Sequence, residues 1–201
     1  QFEDKPMPTV IDVKVAMDIY PEQRRYAVSG SYVVENQTSG PISQILVSVL
    51  RQSHVNYQVA LTGAALTEHD QQHQTMLYSF EQPLAPNAKT TVDFTLSVTH
   101  NAFGALDGEH YVTSGDSYIE LEDVIPQFGF MANYVIDDVE TRKEYQLPQL
   151  TPTMPNHDMQ VQLRDRLKFD ATISTSGEQT AVTVGTLKKQ WTENGRSFFH
   201  F

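Results

Sequence analysis

Residues 11–36, IDVKVAMDIYPEQRRYAVSGSYVVEN, decide the fold class. Ile11, Val13, Val15, Met17 and Ile19 alternate with Asp12, Lys14, Ala16 and Asp18. A period of two places one set on each face of a strand. Tyr20-Pro21-Glu22-Gln23 breaks the run, and Tyr26, Val28, Gly30, Tyr32 and Val34 resume it. Two alternating runs across a short turn predict an antiparallel hairpin. Asn36-Gln37-Thr38-Ser39-Gly40-Pro41 then closes the second strand with turn chemistry.

The same pattern recurs outward from this hairpin. Ile45, Val47 and Val49 open a third strand. Met76, Tyr78 and Phe80 form another run, bounded by Pro83 and Pro86-Asn87, and Val92, Phe94, Leu96 and Val98 follow. A late group comprises Leu167, Phe169, Ala171 and Ile173, then Ala181 to Val184. Finally Glu193-Asn194-Gly195-Arg196 separates Trp191 from Phe198 and Phe199; Asn-Gly suits a turn that needs positive φ at both central residues. No dozen-residue stretch has convincing helical periodicity. The prediction is an all-β, mostly antiparallel sandwich over residues 9–201, led by a Pro-containing linker over residues 1–8. Residues 101–160 form one long irregular insertion, acidic and rich in Tyr, Pro and Met. Such runs inside a domain are usually functional or make inter-domain contacts.

Composition narrows the function. Lys and Arg number 14 against 25 Asp and Glu, a net charge of −11, which repels nucleic-acid phosphates and anionic head groups. Nucleic-acid partners and direct membrane insertion by this segment are therefore excluded, and no apolar run reaches the roughly 20 residues that span a bilayer. With no cysteine there are no disulfides, thiolate metal sites or cysteine nucleophiles. The sequence opens at Gln1 without a leader and closes on the apolar strand Phe198–Phe201, which points to a natural protein that continues.

Few motifs carry chemistry. His69-Asp70-Gln71-Gln72-His73 has the spacing of a helical zinc pair, but it lies between β-like runs. Its acid is one methylene shorter than the usual Glu. The segment reads as a solvated hairpin loop. Ser114-Gly115-Asp116-Ser117 lacks the strand-to-helix setting of a nucleophile elbow. Glu120-Leu121-Glu122-Asp123 reads as a solvated acidic edge rather than a calcium loop. Asn36-Gln37-Thr38 fits a glycosylation sequon and also plain turn chemistry. No catalytic or metal-ligating residue and no cofactor is assigned to this segment.

Several segments in order resemble the N-terminal domain of aminopeptidase N-like zinc metallopeptidases. They are the hairpin with Gly30-Ser31-Tyr32 and Asn36-Gln37-Thr38, and Gln82-Pro83-Leu84-Ala85-Pro86-Asn87 before Val92–Leu96. A closer similarity is to a bacterial subgroup in which such a region is the extracytoplasmic part of an ABC-2-type permease-like membrane protein. It rests on Ile125–Phe130, Asp138–Arg142, Leu147-Pro148, Ser174–Gln179, Gly185-Thr186-Leu187 and Trp191–Phe199.

The resemblance implies a saddle-like β domain that walls the substrate cleft of a downstream peptidase-like domain of the same chain. That domain would hold any zinc and its H-E-x-x-H motif. It also implies an extracytoplasmic location, tethered through membrane spans of the parent, with a peptide substrate as possible partner. The sequence departs from true aminopeptidases at Ile125–Phe130, where they carry an aromatic-Pro-Cys segment, and no Gln occurs over residues 101–126. The surface expected to face the cleft or the neighbouring domain comprises Tyr111, Tyr118, Glu120, Gln127, Phe128, Phe130, Met131 and Tyr134. The alternative reading is an extracytoplasmic protein- or peptide-binding β-sandwich of the permease-like parent, without peptidase activity.

Overall fold

The computed structural model describes residues 5–49, 55–100, 110–120, 124–129, 136, 138–149, 167–176 and 178–201. The chain forms two compact units, one of residues 1–129 with 167–201 and one of residues 130–166. The larger unit is all β, as the alternation predicts.

Its strands are β1 (Thr9–Tyr20), β2 (Arg25–Glu35), β3 (Ile42–Ser48), β4 (Val55–Leu61), β5 (Ala64–Asp70), β6 (Thr75–Leu84) and β7 (Lys89–Thr99). There follow β8 (Tyr111–Val112), β9 (Ser117–Tyr118), β10 (Gln127–Phe128), β11 (Lys168–Ser176), β12 (Lys189–Glu193) and β13 (Arg196–His200). A seven-stranded sheet runs β12-β13-β11-β1-β2-β7-β4, and a four-stranded sheet runs β10-β3-β6-β5. Within the large sheet β1 and β11 pair in parallel, and its other ladders are antiparallel.

Register aligns the apolar sets of successive strands on one face. Val13, Tyr32, Val92 and Leu61 form one row; Val15, Gly30, Phe94 and Val59 form the next. Against this face the four-stranded sheet turns Ile45, Val47, Met76 and Tyr78, all buried in the same apolar cluster. The Tyr78 hydroxyl donates to the Val59 carbonyl at 2.6 Å, and the Phe128 ring meets Tyr32 edge-on at 5.5 Å. Gly30 makes room for this packing. A Cβ there would lie 2.4 Å from the Lys14 carbonyl oxygen and 2.7 Å from Phe94 Cζ.

The opening turn is a 3-10 turn, Pro21–Gln23, ended by Arg24 at φ 48°. The Asn-Gly hairpin forms as expected, with Asn194 at φ 49° and Gly195 at φ 75° between β12 and β13. Asn36 is fully buried, so the sequon is turn chemistry. Its amide donates to the Gly40 and Leu84 carbonyls at 2.8 Å each, and its carbonyl accepts from Thr38 N at 3.0 Å and Thr38 Oγ1 at 2.7 Å.

Two expectations are corrected. Pro83 does not bound its strand, because β6 continues to Leu84. Between Ser79 and Leu84 the β3 register shifts, and the β5 ladder ends at Phe80, so Pro83 sits where no ladder asks for its missing N–H. Ala181–Val184 joins no strand; Val182 is 85% and Val184 67% exposed. In the residues read as a linker, Lys5 donates to Gln44 Oε1 at 2.9 Å and Pro8 is buried.

The smaller unit contains a six-residue helix, α1 (Val139–Glu144). Asp138 caps it, its carboxylate accepting from Thr141 N at 2.7 Å, and this bonding holds the carboxyl below the ordinary carboxylate range. Among the described residues no helix is long and apolar enough to cross a membrane.

Candidate functional site: the β8–β9 hairpin and the cavity beneath it

The two strands of the small hairpin pair Tyr111 with Tyr118 and Val112 with Ser117. Two-residue strands hold little by themselves, so side chains fasten the turn. Thr113 N donates to the Asp116 carbonyl at 3.0 Å, Thr113 Oγ1 donates to the same oxygen at 2.7 Å, and Asp116 N donates to Thr113 Oγ1 at 3.1 Å. Ser114-Gly115-Asp116-Ser117 is this turn. Val112 is buried and anchors the hairpin in the core.

Three expected surface residues come together here. The Tyr111 and Tyr118 rings stack at 6.2 Å, and Tyr118 donates to Glu120 Oε1 at 2.7 Å. The Tyr111 hydroxyl donates to Asp116 Oδ2 at 3.0 Å, and this bond raises its pKa above the ordinary phenol value. Glu120 N donates to Nδ1 of buried His110 at 2.9 Å, which assigns that nitrogen an acceptor role. The hairpin therefore presents two tyrosines and a carboxylate as one connected group.

Gln127 and Phe128 sit elsewhere. They form β10, pairing with Ser48 and Val47, and Phe128 packs on Tyr32. Phe128 is thus a packing residue at the sheet edge. Phe130, Met131 and Tyr134 lie outside the described residues, as do positions 121–123 of the acidic run.

Beneath the hairpin lies a cavity of about 390 Å³. Its floor is the inner face of the large sheet, Val15, Met17 and Ile19 of β1 with Ala171 and Ile173 of β11. Its cover is Asp116, Ser117 and Ile119 together with residues 178–183. Gln179 fastens that segment, donating to the Thr113 carbonyl at 2.9 Å and accepting from Thr175 Oγ1 at 3.0 Å. Sequence reading passes over Gln179, since a glutamine bonded to a residue 66 positions away leaves no local pattern.

His69 and Asp70 are the last two residues of β5, paired with Met76 and Thr75, and His73 lies in the turn before β6, so the hairpin-loop reading holds for the turn and not for His69 and Asp70. His69 Nε2 shares a hydrogen bond with Tyr57 Oη at 2.7 Å, and His73 Nδ1 lies 2.6 Å from Asp70 Oδ2. The bond to His73 holds the Asp70 carboxyl below its ordinary range. A spacing of four stacks two ligands one turn apart in a helix, and this segment is strand and turn. Among the described residues no group of three or more His, Cys, Asp or Glu is placed to hold a metal ion.

No protein-family profile matches the chain, and no curated protein sequence matches it. Solved structures do. The M1 zinc metallopeptidase from Deinococcus radiodurans is similar at TM-score 0.58 and 13% identity, over 100% of this chain and 40% of that one. A mutant of that enzyme bound to a Tyr-Ser-Ala substrate gives TM-score 0.55 and 14% identity, over 96% of this chain and 38% of the other. A mutant two-domain M1 zinc metallopeptidase bound to L-tryptophan gives TM-score 0.57 and 13% identity, over 100% and 40%. At these identities the likeness is one of fold. The chain spans about two fifths of the length of these structures.

Proposed function

We propose that this chain is the non-catalytic N-terminal β domain of an aminopeptidase N-like zinc metallopeptidase and walls the substrate cleft of the downstream peptidase domain. One observation carries the reading: the full length of the chain follows the fold of one part of two-domain M1 zinc metallopeptidases. The ordered sequence motifs support it. Tyr111, Tyr118 and Glu120 are the surface assigned to the cleft, because a stacked aromatic pair beside a carboxylate suits a peptide carrying a positive amine. Zinc and the hydrolytic step belong, in this reading, to the downstream domain. The resemblance to permease-like proteins extends it: the parent holds this domain on the extracytoplasmic side through membrane spans.

The test is steady-state peptide hydrolysis by the full-length protein carrying Tyr118→Ala or Glu120→Gln. A rise in KM of roughly tenfold, with kcat little changed, is expected for lost ground-state contacts. Unchanged KM in both variants would sink the assignment of the hairpin. A reading frame after Phe201 without any thermolysin-like sequence would sink the larger reading. A topology reporter fused after residue 201 that reads cytoplasmic would remove the extracytoplasmic placement.

A further inference from the structure

We infer that the cavity beneath β8–β9 is a binding site for a small organic cation with an apolar body. Its volume of about 390 Å³ falls in the size range of ligand sites, about 300–1,000 Å³. The floor supplies the apolar half of the recognition, from Val15, Met17, Ala171 and Ile173.

The rim supplies the charge. Asp116 and Glu178 are both in the lining, and no Lys, Arg or His is among the described lining residues. Asp116 accepts one hydrogen bond from Tyr111 at 3.0 Å and a long one from Thr113 at 3.3 Å, which leaves its carboxylate further acceptor capacity.

The shape is held rather than accidental. Gln179 ties the covering segment to both the hairpin turn and β11, so the cover does not settle onto the floor. Elsewhere the core of this unit is close-packed, with Tyr26, Tyr32, Val34 and Val98 essentially inaccessible. A hole left beside such packing forfeits contacts, and a ligand of matching chemistry restores them.

The experiment is isothermal titration of the 201-residue chain at neutral pH with 2-phenylethylamine, 2-phenylethanol and phenylacetate. The amine is expected to bind about tenfold more tightly than the alcohol, equivalent to one partly exposed charge pair, and phenylacetate more weakly than either. Glu178→Gln should weaken the amine by roughly threefold to tenfold and leave the alcohol unchanged.

Ala171→Phe fills the cavity from the floor and Ala181→Trp from the cover. Either one, shown by circular dichroism to keep its β structure, should abolish amine binding. Absence of amine binding at millimolar concentration, equal binding of amine and phenylacetate, or amine binding that survives a folded filling variant would overturn the inference.

Discussion

The inner face of the large sheet meets two different covers. Over β2, β7 and β4 it meets a second sheet, and Tyr26, Val28, Tyr32, Val34, Val92 and Val98 are each no more than 2% exposed. Over β1 and β11 it meets a two-residue-per-strand hairpin and an extended segment, and a cavity of about 390 Å³ persists. Both halves share one floor, one register and one apolar pattern. Alternation alone thus brings a strand to the core, but the partner layer decides whether that core closes. A sheet cover interdigitates side chains along its whole length, whereas a hairpin fastened by Thr113, Asp116 and Gln179 keeps a gap.

The comparison can be broken by truncating one large apolar side chain on each side. Phe94→Ala, in the closed half, should cost about 4 kcal/mol in urea unfolding, since its neighbours cannot collapse. Met17→Ala, on the cavity floor, should cost about 2 kcal/mol, because part of its surroundings is already empty. Equal losses would mean that the two halves are packed alike.

Addition of volume sharpens it further. Gly30→Ala places a Cβ against the Lys14 carbonyl and the Phe94 ring, and should cost about 3 kcal/mol through strand displacement. Ala171→Val adds its methyls toward the cavity and should change stability by less than about 1 kcal/mol in either direction. Between these, Asn36→Ala removes the side-chain donor to the Leu84 carbonyl in a buried corner, while Gly40 keeps its bond from Thr38 Oγ1; about 2 kcal/mol should be lost in the same assay.

The smallest effect is one of pH. Burial first, and His110 second, hold His100 below its ordinary value of 6.5. The folded chain therefore prefers the neutral ring, and the unfolded chain takes the proton first. This contribution is complete above about pH 6.5 and is lost as pH falls from there through the folded-state value. His100→Gln should flatten the slope of stability against pH in that window, and an unchanged slope would assign the dependence to other groups.

The closed half is the legible half. Val13 to Met17, Tyr26 to Val34 and Val92 to Val98 alternate strictly because each strand has one wet and one dry face. Asn194-Gly195 announces its hairpin through backbone chemistry that few other residues tolerate. Other elements announce little. All of β5 except Ala64 is exposed, so no apolar alternation marks it. The pairs of residues in β8 and β9 are too short for a period to appear.

The candidate site is only half legible for the same reason. Tyr111, Tyr118 and Glu120 stand out as aromatic and acidic residues within ten positions. The cavity under them depends on β11 lying parallel to β1, a pairing of Val15 with Ala171 that no local pattern encodes. Phe128 is partly buried at the sheet edge, where its β10 pairing packs it against Tyr32, a placement that no local pattern marks.

The central claim is that this domain shapes a peptide site without doing chemistry. Hydrolysis of an aminoacyl-4-nitroanilide in zinc-containing buffer tests it most directly, comparing the 201-residue chain with the full-length protein. The account predicts no turnover by the chain alone, and turnover by the full-length protein whose KM rises with Glu120→Gln. Zinc-dependent turnover by the chain alone, abolished by His73→Ala, would contradict it.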